Sequence, residues 1–305
     1  MATTLTPRAA SCESRKSRPV RKKPSRIWTR EPKQKGEGHE QGVKETNKTS
    51  GNGKEEAMKV CGNTDIGKTR STNEDDYCIA RNDNGDWLAL VCDGIGGSAA
   101  GEVASNIATT CLYNEFMKSP VLKKDYQVER WIREMLNKAN DQIFARSMRN
   151  KTQRGMGTTC VGALITRFAT YIFNVGDSRL YADYADGFIQ MSEDHSVIAQ
   201  LMREGKLSQE EAKSHAQRNT LTSALGVWRV YRMDLHKIDS DYRHLLLCSD
   251  GLHGYVSESA ICDIVNDLRL SLSEKVNLLI SKANQAGGMD NCTIVLLEKE
   301  AGDRP

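Results

Sequence analysis

The sequence lacks three features that would place the chain in a membrane or outside the cell. No apolar stretch approaches the ~18 residues that a membrane-spanning helix needs. The segment Met1–Ala10 lacks the apolar core of a secretory signal. The nine cysteines contain no C-x-x-C pair and are odd in number, and several lie inside apolar runs, which favours small buried thiols over disulfides. We therefore expect a cytoplasmic protein with reduced cysteines and no membrane segment.

Apolar residues are also scarce, at 38% of the 305 residues, and the shortage is concentrated in residues 1–57. This segment carries 14 Lys and Arg against 7 Asp and Glu, a net charge of +7, whereas the rest of the chain carries 29 against 33, a net charge of −4. It cannot bury enough apolar surface to offset the entropy of ordering, so we predict a disordered basic tail over 1–57. The cluster from Arg15 to Arg30 is typical of nucleic-acid or membrane binding, but a solvated tail without a partner is the simpler interpretation. A further alternative is that Met58 is the working start of the chain.

From Met58 onward the pattern is that of a folded domain, which we place at residues 58–302. Apolar runs predict strands at 59–62, 77–81, 87–92, 159–166, 170–175, 179–184, 187–191, 232–238, 244–249 and 292–298. Helical spacing of apolar residues predicts helices at 98–117, 126–148, 194–204, 208–214, 257–269 and 272–286. Hairpin signals between strands, such as Asp183–Gly187, favour antiparallel sheets covered by helices over a parallel α/β core.

Three aspartates each stand at the end of a short apolar run, next to glycine. The runs are Trp87–Cys92 before Asp93, Leu245–Ser249 before Asp250, and Cys292–Leu297 after Asp290. Such runs are typical of buried strands, and glycine at their ends allows a sharp turn or the close approach of a ligand. Carboxylates at a rigid sheet edge suit a hard divalent cation, which prefers oxygen ligands. One Asp-Gly pair would be an ordinary turn, but three of them at strand ends predict one convergent metal site.

Three further segments add candidates to this site. Arg70 lies in a polar and acidic stretch, Asp65–Asp76, and its planar guanidinium can hold two oxygens of a phosphate ester. Alone it would be an ordinary surface arginine, and the three strand-end aspartates are what favour a phosphate site. The turn Asn174–Arg179 supplies a fourth carboxylate, Asp177, although the same residues also suit an ordinary hairpin. Gly155–Thr159 predicts the start of a strand that packs behind the site.

Together these motifs resemble the metal-dependent Ser/Thr protein phosphatases of type 2C, the PPM family, in their compact bacterial-like form. The matching pieces, in the family's order, are Arg70–Asp75, Asp93–Gly97, Gly157–Thr159, Asn174–Arg179, Asp194–Ser196, Leu225–Gly226, Ser249–Leu252 and Gly288–Asn291. Each piece is weak alone, but the ordered set, which spans residues 63–297, is highly specific. The resemblance implies an α+β fold, an αββα sandwich of two antiparallel sheets flanked by helices, with metals in a cleft at one edge.

The resemblance also implies a set of metal ligands. Asp93 would bridge two Mn²⁺ or Mg²⁺ ions, the carbonyl of Gly94 would complete one site, and Asp250 and Asp290 would hold the other. Three neighbours would act behind these ligands or through metal-bound waters: Glu74, Asp75 and Asn291. Two such metals, roughly 3.5–4 Å apart, create a hydroxide and stabilise an in-line displacement at phosphorus, without a covalent intermediate.

Arg70 would grip the phosphoryl group, so Arg70 and Asp93 are the predicted catalytic residues. Ile95 stands where many eukaryotic members have a histidine proposed as general acid, which leaves the proton donor unassigned, with His253 as one alternative. Gly254 stands where many members have an aspartate for a third metal, whereas Asp177 matches another ligand of that possible third site.

Two segments keep an ordinary structural interpretation beside the functional one. Asp194 and His195 lie at a predicted helix start, where capping and local hydrogen bonds explain the pair. Gly205–Asn219 resembles in position the family's flap beside the active site, and it equally suits a surface helix and loop. Within it, Ser208 followed by Glu211 is typical of a capped helix start.

The predicted function is hydrolysis of phosphoserine and phosphothreonine in phosphorylated proteins, reversing a cognate Ser/Thr kinase, by a monomer. The alternative is a catalytically silent domain of the same fold that binds a phosphoprotein or regulator. Retention of Arg70, Asp93, Asp250 and Asp290 favours activity, because a silent domain has no need to keep all of them. A third reading, a nucleic-acid binder, rests on the basic tail alone.

Overall fold

The computed structural model describes residues 58–96 and 100–299. Three predicted features lie outside the described residues: the tail at 1–57, the domain end at 300–302, and Gly97 of the Asp93–Gly97 motif. One five-stranded antiparallel sheet contains, in spatial order, β1 (Met58–Asp65), β12 (Cys292–Lys299), β11 (His244–Cys248), β8 (Arg179–Tyr184) and β9 (Gly187–Gln190). The other contains β10 (Asp234–Ile238), β7 (Thr170–Val175), β6 (Cys160–Ile165), β3 (Trp87–Cys92) and β2 (Asp76–Arg81). A separate short pair is formed by β4 (Gly94–Ile95) and β5 (Gly157–Thr158).

Helices cover the outer face of each sheet. The helices are α1 (Ala100–Phe116), α2 (Asp125–Arg149), α3 (Val197–Arg203), α4 (Gln209–Ser214), α5 (Asp250–His253), α6 (Glu258–Val265) and α7 (Leu272–Gln285). Apolar side chains of α1 and α2 share one buried cluster with β3, β6 and β7, whereas those of α5, α6 and α7 share another with β11 and β12. A third cluster lies between the two sheets. The layers are therefore α-β-β-α, which confirms the predicted fold class.

Strand β3 shows how the sequence produces these layers. Leu88 and Leu90 point toward α1 and α2, whereas Ala89 and Val91 point toward the other sheet. Successive strand residues face opposite sides, so a strand between two apolar layers must be apolar at every position. Full burial of each leucine contributes about 1.5–3 kcal/mol. The continuous apolar runs that predicted strands are thus the central strands of the sandwich.

The predicted elements agree with the structure except at ends and in short segments. The helix predicted from 194 begins at Val197, because Ser196 is its N-cap and accepts a hydrogen bond from the amide of Ala199. The helix predicted to reach 269 ends at Val265. Helix α4 begins after Ser208 with the predicted capping box to Glu211. The sequence did not predict β4 or α5, which are too short to show a repeating apolar pattern, and it predicted β5 only as the start of the strand that follows Gly155.

The sheet topology brings the candidate site residues to one edge. Strand β11 ends at Cys248, two residues before Asp250, and the antiparallel β12 begins at Cys292, two residues after Asp290. Since neighbouring antiparallel strands meet end to start, both aspartates lie at the same end of the first sheet. Strand β3 of the other sheet ends one residue before Asp93. The eight described cysteines form no disulfide among the described residues.

Candidate active site

Asn291 joins the loop that carries Arg70 and Glu74 to the segment that carries Asp290. Its Oδ1 accepts the amide of Glu74 at 2.8 Å, and its Nδ2 donates to the carbonyls of Ile66 and Thr72 at 2.9 and 3.0 Å. The residue is buried, so its side-chain amide is fully used inside the protein. Asn291 therefore fixes the loop from Ile66 to Glu74 against the segment that carries Asp290.

Hydrogen bonds to its backbone amide and carbonyl hold Asp93 in place, and they do not use its carboxylate. Its amide donates to Thr159 Oγ1 at 2.9 Å, and its carbonyl accepts both the amide of Thr159 at 2.8 Å and Thr158 Oγ1 at 2.9 Å. Thr159 Oγ1 also lies 2.7 Å from Ser178 Oγ. The sequence predicted that Gly155–Thr159 packs behind the site, and the structure confirms it. The threonines form the clamp that positions Asp93.

Two glycines, Gly94 and Gly101, allow the backbone after Asp93 to lie against the start of α1 with no room for a side chain between them. A Cβ on Gly94 would overlap the carbonyl of Gly101, and a Cβ on Gly101 would lie 2.7 Å from the carbonyl oxygen of Gly94. The amide of Gly94 donates to the carbonyl of Glu74 at 3.2 Å. The start of α1 is thereby pressed against β4 and the Glu74 loop.

The carboxylates repel one another in a partly buried site. Burial raises the pKa of Asp93 well above its usual range, and the negative charges of Asp75, Asp250 and Asp177 raise it further. Burial likewise raises the pKa of Asp75 to about 7 and that of Asp177 to about 8. The pKa of Asp250 rises to about 6, through burial and the charge of Asp290. Such a cluster is costly unless cations neutralise it.

Unpaired oxygens point to what the cluster lacks. Glu74 Oε1, Asp75 Oδ1 and Asp250 Oδ1 are buried without a hydrogen-bond partner among the described residues. Buried oxygens are nearly always satisfied, so three together indicate a missing positive partner. The donor set is all oxygen, which fits a hard divalent cation. Among the described residues no three carboxylate, thiol or imidazole side chains converge tightly enough to form a closed metal site. The oxygen donors of these residues therefore suit a divalent metal ion. The structure itself shows no coordination geometry.

Arg70 supplies positive charge at the open side of the cluster. Its Nη2 donates to Asp290 Oδ2 at 2.7 Å, and the Arg70 side chain is 47% exposed against 23% for Asp290. The other oxygen of Asp290 accepts the amide of Asn291 at 2.9 Å. The guanidinium thus faces both the carboxylates and solvent, where a phosphate ester would arrive.

Asp177 belongs to the same cluster, and two histidines support its turn, the buried His195 and the half-buried His253. The amide of Gly176 donates to His195 Nδ1 at 3.2 Å, and the other ring nitrogen of His195 lies 2.9 Å from Asp234 Oδ2. His253 Nε2 donates to the carbonyl of Asp177 at 3.0 Å. Burial and the nearby charge of Arg179 lower the pKa of His253 to about 3. His253 is therefore neutral and bound to the backbone, which does not support it as a proton donor.

The remaining sequence features lie in short elements and loops. Ile95 lies in β4 opposite Gly157, and Gly254 ends α5. The Gly205–Asn219 segment contains α4, as the surface helix-and-loop interpretation predicted. Burial raises the pKa of Tyr255, and the charges of Asp290 and Asp250 raise it further. The resemblance of the 205–219 segment to the family's flap stays a prediction.

Sequence reasoning missed the role of Ser249. Its Oγ donates to Asp75 Oδ2 at 2.7 Å and accepts the amide of Thr293 at 2.9 Å. Ser105 was also missed, and its Oγ donates to the carbonyl of Glu74 at 2.6 Å. The only available signal for Ser249 was its position directly before Asp250. No signal in the sequence indicated Ser105, because it lies in the middle of helix α1 and belongs to no motif.

Comparison with known proteins agrees with this geometry. The family model described as protein phosphatase 2C matches residues 66–284. The serine/threonine phosphatase stp of Listeria welshimeri is 38% identical over 237 residues, which cover 77% of this chain and 94% of that protein. Protein phosphatase PhpP of Streptococcus pneumoniae is 34% identical, with 79% and 97% covered.

A solved structure gives the same result for the fold. Serine/threonine phosphatase Stp1 from Staphylococcus aureus superposes with a TM-score of 0.75 at 34% identity, over 80% of this chain and 96% of that one. These relatives are named as phosphatases, which confirms the function predicted from the motifs and lends no support to a catalytically silent domain. The chain belongs to the protein phosphatase 2C family.

Proposed function

We propose that this protein phosphatase hydrolyses phosphoserine and phosphothreonine in proteins with the help of two divalent metal ions, Mn²⁺ or Mg²⁺. The observation that carries the proposal is the buried carboxylate cluster with three unpaired oxygens beside the half-exposed guanidinium of Arg70. Anionic phosphate would not approach such a cluster unless cations neutralised it first. The cluster and the arginine together therefore favour a metal-dependent phosphate site.

The proposed metal ligands are Asp93, the carbonyl of Gly94, Asp250 and Asp290. Behind them, three residues would act through water or by positioning: Glu74, Asp75 and Asn291. Asp177 would contribute to a third site. Bound divalent ions in such a site lower the pKa of water and neutralise charge on the phosphoryl oxygens.

The chain's own residues would perform the positioning. Arg70 would leave Asp290 and hold two phosphoryl oxygens with its planar fork. The clamp of Thr158 and Thr159 keeps the Asp93 backbone fixed during this exchange. A cysteine nucleophile has no support, because Cys92, which precedes Asp93, is fully buried in the core.

We also propose the setting in which this activity works. The substrates would be cytoplasmic phosphoproteins, a Ser/Thr kinase would be the opposing enzyme, and the phosphatase would act as a monomer. No helix among the described residues is long and apolar enough to cross a membrane. Native mass measurement and affinity isolation of the kinase would test these points.

The decisive experiment is hydrolysis of a phosphothreonine peptide with Mn²⁺, with EDTA, and by the variants Asp93→Ala and Asp250→Ala. We expect turnover in Mn²⁺ only, and a loss of about a thousandfold in both variants. Asp263→Ala serves as a matched control, because Asp263 is an exposed carboxylate on α6. Equal turnover in EDTA would reject the metal mechanism, and no turnover in Mn²⁺ would favour the silent-domain alternative.

A further inference from the structure

His195 is a buried histidine, 1% exposed, with partners on both ring nitrogens. Its Nδ1 accepts the amide of Gly176 at 3.2 Å, and its Nε2 lies 2.9 Å from Asp234 Oδ2. Because the amide is the donor to Nδ1, the ring carries its proton on Nε2 and donates it to Asp234. Burial lowers the pKa of His195, which keeps the ring neutral. The ring therefore links the turn that holds Asp177 to strand β10.

The main chain of His195 already performs the ordinary structural task at this position. Its carbonyl accepts the amide of Thr222 at 2.8 Å, and Ser196 forms a β-bridge with Leu221. The segment 197–220 thus leaves and returns at one point of the fold. These bonds involve backbone atoms only, so they do not require an imidazole at position 195. The presence of the ring is explained by what its own nitrogens bind.

Gly176 needs a partner for its amide because of its unusual backbone conformation. Its φ is +107°, which other residues rarely adopt, and a Cβ there would lie 2.6 Å from Cγ2 of Thr159. Its carbonyl accepts both the amide of His195 at 2.9 Å and Asn174 Nδ2 at 3.0 Å. Among the described residues, the acceptor for its amide is Nδ1 of His195. Loss of Nδ1 would therefore release one side of the turn and leave a buried amide unpaired.

Asp177 depends on a fixed turn because it lies among like charges. Burial, and after it the charge of Asp250, raises the pKa of Asp177 to about 8. The carbonyl of Asp177 accepts His253 Nε2 at 3.0 Å, and Oγ of the next residue, Ser178, lies 2.7 Å from Thr159 Oγ1. These bonds do not restrain the carboxylate, whose position therefore follows that of the turn.

We propose that His195 is a positioning residue, whose Nδ1 holds the amide of Gly176 and thereby keeps Asp177 in place to bind the third divalent ion. This inference rests on the proposed function, since it assigns a task within the same site. His195 would touch neither metal nor substrate, and would act through the turn. Loss of such a supporting partner typically lowers metal affinity or activity by about tenfold to a hundredfold. The hydrogen bond to Asp234 fixes the orientation and tautomer of the ring.

Two substitutions separate the tasks of the ring nitrogens. In His195→Asn the side-chain oxygen stands near the position of Nδ1 and can accept the amide of Gly176. In His195→Gln the side-chain nitrogen can reach Asp234, but no acceptor replaces Nδ1. His195→Ala removes both bonds. His236→Gln is the control, because His236 is an exposed histidine on the strand that carries Asp234.

Turnover of a phosphothreonine peptide in Mn²⁺ is the first measurement. We expect kcat to fall by about tenfold or more in His195→Gln and His195→Ala, by less than about threefold in His195→Asn, and not in the control. KM for the peptide should stay within about twofold of wild type, because the turn does not hold the phosphate. Thermal unfolding in EDTA should show similar losses for the Asn and Gln variants, since each breaks one buried hydrogen bond. Equal kcat in these two variants would make His195 a purely structural residue and overturn the inference.

Mn²⁺ binding, measured by isothermal titration calorimetry, gives a result that does not depend on turnover. Asp177→Ala should lose the weakest binding event, and His195→Gln should weaken the same event by about tenfold or more. Added to Asp177→Ala, His195→Gln should lower kcat by less than a further twofold or about that, because both changes act on one ligand. Effects on kcat that multiply, or a weakest event that His195→Gln leaves unchanged, would contradict the proposed role.

Failure of the proposed function would give a different pattern of results. A wild-type protein that hydrolyses no phosphopeptide in Mn²⁺ removes the proposed function, whereas the calorimetric comparison still decides for or against His195. If wild type turns over the peptide and Asp177→Ala matches it in both Mn²⁺ binding and kcat, the proposed function stands and the role of His195 is rejected. Wild-type protein that binds no Mn²⁺ would reject both.

Discussion

At the scale of single residues, Arg70 and Asp290 have two tasks each. In the structure they form an ion pair of 2.7 Å at the open side of the site. As a proposed metal ligand Asp290 must face a cation, and as a phosphate ligand Arg70 must face the substrate. On the proposed function, the ion pair is a resting arrangement that metal and substrate would replace. An exposed pair of this kind is weak enough to exchange, at about 0–1 kcal/mol.

Arg70→Ala should raise KM for a phosphothreonine peptide by about tenfold to a hundredfold, since charge-assisted hydrogen bonds contribute about 1.5–3 kcal/mol each. Arg70→Lys should recover only part of that loss, because an ammonium group has no planar fork. Steady-state kinetics and Mn²⁺ titration measure the two effects separately. The affinity for Mn²⁺ should change little, and unchanged kinetics in both variants would remove Arg70 from the site.

Asp250→Asn should raise the unfolding temperature of the metal-free protein and remove most of the stabilisation that Mn²⁺ gives to wild type. Burial and the charge of Asp290 raise the pKa of Asp250 to about 6, so at pH 7.5 its ionised form is held at a cost in free energy of folding. An amide of the same shape avoids this cost. Thermal unfolding in EDTA should occur at a higher temperature than in wild type, and added Mn²⁺ should shift wild type far more than the variant.

Asp263→Asn is the control for this pair of measurements, because it removes one exposed carboxylate outside the site. A lower unfolding temperature for Asp250→Asn in EDTA would contradict the account of the carboxylate cluster as repulsive.

The sequence could reveal the residues whose position in a motif is informative, and only those. Arg70, Asp93 and Asp250 follow from strand-end placement and family order, and the structure puts them in one cleft. The hydrogen bond from Ser249 to Asp75 could not be predicted, because it depends on how closely two loops approach, 174 residues apart in the chain. The hydrogen bond from His253 to the carbonyl of Asp177 depends in the same way on how two segments pack together.

At the scale of secondary-structure elements, the short pair β4–β5 links the glycine-rich motif to the threonine clamp. Its backbone pairing sets Gly94 opposite Thr158, directly beside Asp93. Long helices and strands were predictable because their apolar period repeats several times. Two-residue strands carry no period, so this link had to be observed.

Thr159→Val should impair catalysis while the fold remains intact. Valine has the shape of threonine but cannot accept the amide of Asp93 or pair with Ser178, so two buried polar groups lose their partner. We expect a loss of about 1–3 kcal/mol of stability and a lower kcat, because Asp93 becomes less fixed. Thr159→Ser keeps the hydroxyl and should restore most of kcat. Equal kcat in the valine and serine variants would exclude the clamp from catalysis.

At the scale of the whole molecule, the two sheets bring distant parts of the chain to one edge. Strand β1 pairs with β12, so the first and last strands of the described domain lie side by side, and the loop after β1 meets the loop before β12. Apolar periodicity predicts which segments are strands but not which strands are neighbours. The two antiparallel sheets followed from the family resemblance, whereas the order of strands and the loops' hydrogen bonds came only from the structure.

The carboxylate cluster makes the stability of the whole domain depend on pH, with opposite signs in the absence and presence of metal. The pKa of Asp75 is about 7 and that of Asp250 about 6 in the folded protein, against about 4 in an unfolded chain. Between pH 4 and 7 the folded protein therefore holds protons that the unfolded chain has released. Stability that depends on such protons is present at the lower pH and is lost as pH rises through the folded pKa.

In EDTA the unfolding temperature should fall by about 5 °C or more from pH 5 to pH 8, as ~2 kcal/mol would give in a domain of this size. In saturating Mn²⁺ it should instead rise with pH, because the ligands must release their protons to bind metal. Thermal unfolding across this pH range measures both slopes. Asp75→Asn should flatten the slope in EDTA, whereas Asp263→Asn should leave it as in wild type. A slope that rises with pH in EDTA would mean that the carboxylates are not forced together, and the metal site would lose its physical basis.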